Sequence, residues 1–579
     1  MSIFDIDNNR LSTGAIFRGT GVGTAKATFT VPSENLAVIY PAQDMANLGL
    51  EGTVASFLLP EVQKFDASGV IPDDTMPFAG LVNTTTGKLF NLLSVLEVKL
   101  TGDLTVNKIV VKSASRKLSG KATVDANYTD APVVRMTAES SNSVTIDCGE
   151  GIKLSSTATI VNVVIPAAAY PEGDISIDVH TDLGVYGNMP TACTLIRAAV
   201  TQKSVEVPMP TNLTPTDADF ANCFVLNKAG WYCFTPKTRG GYDRVANEDI
   251  VKENTAAYVL YESSESMLTN ATYVAAKNMI TFMYDGTAGN GGICVADAPD
   301  NICWTWHIWC PGETMKDITL GTITVMDRNI GARKIPGTLM LAKKLTLEEK
   351  LQSAGLFYQM GRPTPFPGAK VWKNEECATR LGLDNNTISE VFYYPSASLL
   401  ENGQQFKCGV GVTTETAPMG VKNPMHYFIL ENKGDNKYWS EDFKLDTNSE
   451  SYPWNYSVAA NIQFDPCPAG YQLPTYAELS AALKAVTWTN IGEKDMSVPD
   501  GLFTTTKRAY IANGGYRSSY GLFNATGSES AHFLIATGVA DAEDNTTTYN
   551  RVYLGIENKN VGGSKWIPGN GAPVRCIKK

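Results

Sequence analysis

Histidine is scarce in this sequence: there are four in 579 residues, and His180, His307, His426 and His532 are scattered. The eleven cysteines form no Cys-x-x-Cys pair, so a structural zinc site has little support. Their odd number leaves at least one thiol unpaired within the chain. Charge is sparse too, with Asp, Glu, Lys and Arg making up 18% of residues and a net charge of -11. That balance disfavours a nucleic-acid backbone or an anionic membrane as partner, since both need a basic footprint. No apolar run can span a bilayer; "IVNVVIPAAAYP" (Ile160 to Pro171) is too short and is interrupted by proline. The opening "MSIFDIDNNR" has neither a basic n-region nor an apolar h-region. Either the protein is cytoplasmic, or the chain is a mature or truncated form.

Catalytic signatures are missing as well. There is no Gly-x-Ser-x-Gly elbow, and four dispersed histidines suggest no triad. "GTGVGT" (Gly19 to Thr24) is not followed by a helix pattern and reads as a loop, while "GTAGNGG" (Gly286 to Gly292) reads as hairpin punctuation. "DIDNNR" from Asp5 has acidic spacing suited to calcium, but Arg10 stands where the loop needs glycine, so a solvated turn is expected. No metal, cofactor or catalytic residue is therefore assigned.

What the chain does have is Thr, Asn, Ser, Gly, Val and Ala in quantity, within a hydrophobic fraction of 43%. That mixture suits sheet faces and turns. The length implies roughly three to five domains. Residues 1 to about 205 run strand after strand: "NLAVIYPA", "TVASFLLP", "SVLEVKL", "KIVVKS", "SVTIDC", "ATIVNVVIP" and "DISIDVHT" are short, β-branched and alternating. Such spacing predicts β-sandwiches. A second all-β stretch, 206–318, includes an expected hairpin "CFVLNKAGWYCF", in which Cys223 and Cys233 face each other if the loop has an odd count. From 319 helix signals appear. "TLEEKLQSAG" offers Thr346 as N-cap, Glu349 as capping-box partner and Gly355 as stop. "PTYAELSAALKAV" repeats the device with Thr475 and Glu478, and Leu479, Ala482, Leu483 and Val486 fall on one helical face. The region 319–579 is thus expected to be α+β, with aperiodic insertion loops at about 366–460.

The densest stretch is "NICWTWHIWC", Asn301 to Cys310, with three of nine tryptophans and one histidine. As a strand it places Trp304, Trp306 and Ile308 on one face and Cys303, Thr305, His307 and Trp309 on the other. Cys303 and Cys310 would lie roughly 23 Å apart and cannot bond to each other or share a metal with His307. Bulky residues on both faces predict a strand covered on both sides, with His307 a hydrogen-bonded core residue. Whether Cys303 pairs with Cys294 stays open.

Several motifs resemble known families. "GKLFNLLSVLEVKLTGDLTVNKIVVKSASRKLSGKATV" (Gly87 to Val124) is similar to the start of the second β-domain in fimbrillin-like proteins of Bacteroidales pili. "ANCFVLNKAGWYCF" and "ICWTWHIWCPGE" resemble a segment found downstream in that family. "VMDRNIGA" (Val325 to Ala332), "GLFYQMGRPTPF" (Gly355 to Phe366), "DPCPAGYQLPTYAEL" (Asp465 to Leu479) and "GAPVRCI" (Gly571 to Ile577) resemble the Fibrobacter succinogenes major paralogous domain, related to the C-type lectin fold. The resemblance implies a mainly β protein: tandem fimbrillin/transthyretin-like β-sandwiches at 1–88 (strand-accepting) and 89–205, a small β-domain at 206–318, and a C-type-lectin-like domain at 319–579. It implies an extracellular pilus subunit at the cell surface, made as an outer-membrane lipoprotein precursor whose leader is absent here, with a neighbouring subunit as partner through strand addition. "VRCIKK" leaves no alternating tail to donate, which points to a tip subunit, an adhesin for a cell-surface glycan or protein. The alternative is a surface glycan-binding lipoprotein outside any pilus.

Within that frame Cys467 and Cys576 flank the lectin-like core. A disulfide between them would close a loop of roughly a hundred residues, worth about 4–5 kcal/mol in chain entropy; two buried free thiols are the alternative. The ligand surface is expected before the last strand, where "GGYRSSYGLFNATG", "TTTYNRVYLG" and "GGSKWIPGNG" interleave aromatic and polar residues with glycine. The candidates are Tyr516, Arg517, Ser518, Tyr520, Asn524, Tyr549, Asn550, Lys565 and Trp566, with Trp439 and Trp454 in the insertion. Calcium-dependent sugar motifs are absent, and "WNY" at Trp454 lacks the second carboxylate position. The fold also carries oxidases, but no reactive cysteine pair is identifiable.

Overall fold

The computed structural model describes residues 2–5, 10–12, 18–21, 24–26, 36–40, 49–51, 54–71, 75, 77–82, 89–125, 132–188, 192–237, 250–299, 301–335, 347–367, 392–396, 406–410, 417–429, 464–487, 489–491, 501–504, 509–512, 516–517, 523–524, 530–535, 551–555, 561–564 and 570–579. The fold is mainly β, as the alternating segments lead one to expect, and the chain divides into two compact units, Met1–Met209 and Pro210–Lys579.

In the first unit, alternation decides which side of each strand is dry. Along Ser94–Gly102, Leu96, Val98 and Leu100 are buried while Glu97 and Lys99 are half-exposed. This strand sits between Thr159–Ile165, antiparallel, and Val200–Val207, parallel. A five-stranded sheet runs Gly184–Asn188, Ile175–Thr181, Thr105–Ser113, Ser143–Lys153, Val62–Lys64. A further four-stranded sheet runs Val134–Met136, Gly120–Asp125, Val54–Leu59, Gly49–Glu51. Its inner face (Ala55, Phe57, Leu59, Ala122 and Val124) shares a core with Ile39, Ala79, Leu92 and Leu93.

The boundary expected at residue 88 does not separate two self-contained sandwiches. Val54–Leu59 pairs with Gly120–Asp125, and Val62–Lys64 runs parallel to Ser143–Lys153. Gln63 explains the second crossing. Its buried carboxamide donates to the Val164 carbonyl at 2.7 Å and accepts from the Val164 N–H at 2.9 Å. A glutamine inside an alternating strand looks solvent-facing in the sequence, but here it joins two sheets.

In the second unit two four-stranded sheets face each other. One runs Thr211–Asn212, Gly230–Phe234, Met279–Tyr284, Leu268–Val274; the other runs Cys223–Val225, Ile302–Cys310, Gly289–Ala296, Ala256–Glu262. "CFVLNKAGWYCF" is therefore not a paired hairpin. Cys223–Val225 lies parallel to Ile302–Cys310, while Gly230–Phe234 joins the opposite sheet. The segment crosses the sandwich because both halves carry aromatics for its interior: the Phe224 and Phe234 rings meet, tilted, at 4.8 Å, and Phe234 meets Trp306 at 5.1 Å. Cys223 and Cys233 are separate buried thiols, as are Cys294 and Cys303.

All nine residues of Ile302–Cys310 are buried. Trp306 faces the sandwich, while the other side meets the C-terminal half: the Thr305 and Thr364 hydroxyls are 2.8 Å apart, and the Trp309 indole donates to the Ala332 carbonyl at 3.0 Å. One core spans the boundary expected at 318, running from Phe282 and Trp306 through Met326, Tyr358 and Leu473 to Val574 and Cys576. Residue 318 itself falls inside the strand Asp317–Leu320.

Helix Tyr476–Lys484 starts as its sequence predicts. Thr475 accepts from the Glu478 N–H, and the Glu478 carboxylate accepts from the Thr475 N–H at 2.8 Å. Leu479, Ala482 and Leu483 are buried, with Val486 partly buried beside them. Helix Leu347–Ala354 ends at Gly355, whose φ of +80° is the left-handed stop. A Cβ there would lie 2.6 Å from the Ile330 carbonyl oxygen. Its expected N-cap, Thr346, lies outside the described residues.

Candidate functional site

His307 is the first side chain to assess, because histidine beside cysteine is where metal or redox chemistry would arise. Its Nε2 lies 3.0 Å from Asn290 Oδ1, and its Nδ1 lies 3.3 Å from the Tyr358 hydroxyl and 3.5 Å from Cys223 Sγ. Burial pushes the imidazole pKa down to about 3 and the Cys223 thiol well above its ordinary value. With both ring nitrogens engaged by buried neighbours, His307 is part of a hydrogen-bonded core network. Among the described residues no three His, Cys, Asp or Glu side chains come together to hold an ion.

The residues of the C-terminal motifs act mostly as scaffold. Arg575 donates to Asn329 Oδ1 at 2.8 Å and to the Met326 carbonyl at 3.1 Å. Buried Arg328 pairs with Asp327 at 2.8 Å. The Arg362 guanidinium donates to the carbonyls of His426, Gly420, Asn423 and Pro424, and lies against the Phe366 and Phe428 rings. Cys467 and Cys576 are joined by a disulfide, with Cα atoms 6.0 Å apart and a sequence separation of 109. That bond anchors the strand Gly571–Pro573 and the residues after it, where Met326 N–H bonds to the Cys576 carbonyl and Ile330 N–H to that of Val574.

Around this anchor the structure gathers part of the expected ligand surface. Tyr516–Arg517 pairs antiparallel with Phe523–Asn524, so Tyr516 stands directly across from Asn524, and Arg517 is also the partner of Gly571. In the neighbouring sheet Arg551 pairs with Ser564 and with Leu534, and Leu534 bridges to Val574. The strand ends adjoining Asn550 and Lys565 are thereby neighbours across a register pair. Ser518, Tyr520, Tyr549, Asn550, Lys565, Trp566, Trp439 and Trp454 lie outside the described residues.

A second concavity was not apparent from the sequence. A cleft of about 510 Å³ opens where the edge strand Ala256–Glu262 of one sheet runs beside the edge strand Leu268–Val274 of the other, closed on a third side by 393–396. Tyr258, Tyr393 and Tyr394 line it together with Glu265, Ser266, Thr269, Asn270 and Ser396. Tyr393–Ser396 falls in the aperiodic stretch treated as insertion loop. The only local signal there was the pair of tyrosines before Pro395.

No protein-family model and no curated protein matches the chain. Among solved structures it is similar to a candidate cell adhesion protein from Bacteroides ovatus, at 13% identity and a TM-score of 0.24, covering 35% of this chain and 80% of that one. A candidate cell adhesion protein from Bacteroides uniformis matches at 8% identity and a TM-score of 0.23, covering 36% and 85%. One from Bacteroides thetaiotaomicron matches at 11% and 0.17, covering 32% and 67%. At such scores the fold stands on its own strand pairings.

Proposed function

We propose that this chain is a cell-surface adhesin of the fimbrillin type, placed at the tip of a pilus and binding a host or bacterial surface ligand without catalysis. The observation that carries the reading is the pairing of Tyr516 with Asn524 and of Arg517 with Gly571. It sets an aromatic, a cation and a carboxamide position on a short strand pair at the edge of a sheet whose neighbouring strand leads into the disulfide. A rigid scaffold carrying adaptable polar and aromatic loops is the arrangement of binding surfaces such as antibody paratopes. Gly571–Pro573 and Ile577–Lys578 are paired within this unit's own sheets.

The test is adhesion of labelled protein to epithelial and bacterial cells. Tyr516→Ala combined with Asn524→Ala should lower bound protein at least tenfold and leave the melting temperature within a few degrees. Undiminished adhesion would remove the site. Assembly is tested separately, by mixing with a stalk fimbrillin or its donor-strand peptide; absence of a stable complex would remove the tip placement.

A further inference from the structure

We propose that the cleft between Ala256–Glu262 and Leu268–Val274 is a second binding site, for a neutral saccharide of one or two rings. Its size, about 510 Å³, is that of a small-molecule site. A sugar ring presents C–H groups on one face and hydroxyls around its rim, so it needs an aromatic face and uncharged or anionic hydrogen-bonding groups beside it. Of the three tyrosines lining it, Tyr393 is 39% exposed and Tyr258 and Tyr394 are half-buried. Thr269, Ser266, Ser396 and Asn270 supply hydroxyls and a carboxamide. Asn270 uses its backbone carbonyl on the Thr272 hydroxyl, and its side chain bonds to none of the described residues.

Two features argue that the site is built for a compact ligand and not for an added strand. Both edges are interrupted by bulges, between Val259 and Tyr261 on one side and between Thr269 and Thr272 on the other. Bulged edges resist strand pairing. The end of Ala256–Glu262 is also already taken, because Glu262 and Tyr393 exchange both backbone hydrogen bonds, at 2.9 and 2.8 Å.

The wall is rigid. Buried Glu262 spends its carboxylate on the N–H groups of Ser266 and Leu268, at 2.7 and 2.8 Å. Ser266 and Asn270, with φ of 62° and 55°, hold left-handed backbone that non-glycine residues adopt infrequently. Such positions gather at ligand sites. Among the described residues no Lys, Arg or His lines the cleft, and Glu265 is exposed within it, so an anionic sugar is disfavoured.

The experiment is saturation-transfer NMR on the full chain with lactose, cellobiose, maltose and N,N′-diacetylchitobiose at millimolar concentration, with 3′-sialyllactose as the anionic comparison. At least one neutral disaccharide should receive saturation. Tyr393→Ala should weaken its binding at least tenfold, while Tyr393→Phe retains it. Asn270→Gly, which suits the left-handed backbone and removes the side chain with its carboxamide, should weaken it severalfold. Signal from sialyllactose alone, from no neutral disaccharide, or undiminished in both Tyr393→Ala and Asn270→Gly would overturn the proposal. Tyr516→Ala should leave this binding unchanged, which keeps the outcome separate from the adhesion test above.

Discussion

Breaking the link between Cys467 and Cys576 should destabilise the second unit more than loss of any single hydrogen bond in it. The bond spans 109 positions, and both cysteines are fully buried in the large core. In the chain-entropy treatment a loop of that length is worth about 4–5 kcal/mol at 25 °C. At roughly 2.1 cal/mol/K of unfolding entropy per residue, a unit of this size should then melt about 6 °C lower. Reduction of the wild type is the cleanest perturbation, because both sulfur atoms remain and only the linkage is lost. Cys467→Ala with Cys576→Ala should lose somewhat more, through the two small voids it leaves. Calorimetry reports the melting shift. Amide exchange over 571–577 reports where it originates, and these residues should become the first of the core to exchange. A loss below about 1 kcal/mol on reduction would refute the reasoning, since the loop term alone exceeds it.

Two further outcomes rest on the tryptophan-rich strand. Burial lowers the His307 pKa to about 3, so the folded state keeps the ring neutral while the unfolded chain takes up a proton near pH 6.5. This contribution is complete above pH 6.5 and declines as pH falls toward 3, by about 2 kcal/mol at pH 5; urea midpoints at pH 7 and 5 should show it, and His307→Gln should flatten that slope. Trp304 donates its indole N–H to buried Asn222 at 2.9 Å, whereas the Trp306 indole N–H has no partner among the described residues. Trp304→Phe should therefore cost about 1–3 kcal/mol more than Trp306→Phe in denaturant unfolding; equal losses would remove the role given to Asn222.

Much of the fold was legible because it follows from period-two alternation. Leu96, Val98 and Leu100 disclose their strand unaided, as the doubly apolar Ile302–Cys310 disclosed a strand covered on both sides. Caps were legible for the same reason: Thr475 with Glu478, and Gly355, act within a few residues of themselves. What failed was everything decided by distant partners. Gln63 looks like an exposed alternate position until Val164 is placed beside it. "NKAG" looks like a hairpin turn until the two flanking strands are seen to join opposite sheets. The disulfide stayed open beside two buried thiols because a cysteine's partner is a matter of space. The tyrosine cleft was missed because its three sides come from two sheet edges and a segment more than a hundred positions downstream.

The disulfide also has a mechanical meaning. Tyr516–Arg517, Phe523–Asn524, Arg551–Gly555 and Val561–Ser564 all lie between Cys467 and Cys576, inside a covalently closed ring. Tension applied at the Tyr516 strand pair divides between two arms of that ring, one running back to Cys467 and one forward to Cys576. The arms rejoin at the sulfur bridge before the load passes to the tryptophan core. Strand pairs inside the ring can still part under load, but the length that their loss releases is capped by the contour of the closed ring between Cys467 and Cys576.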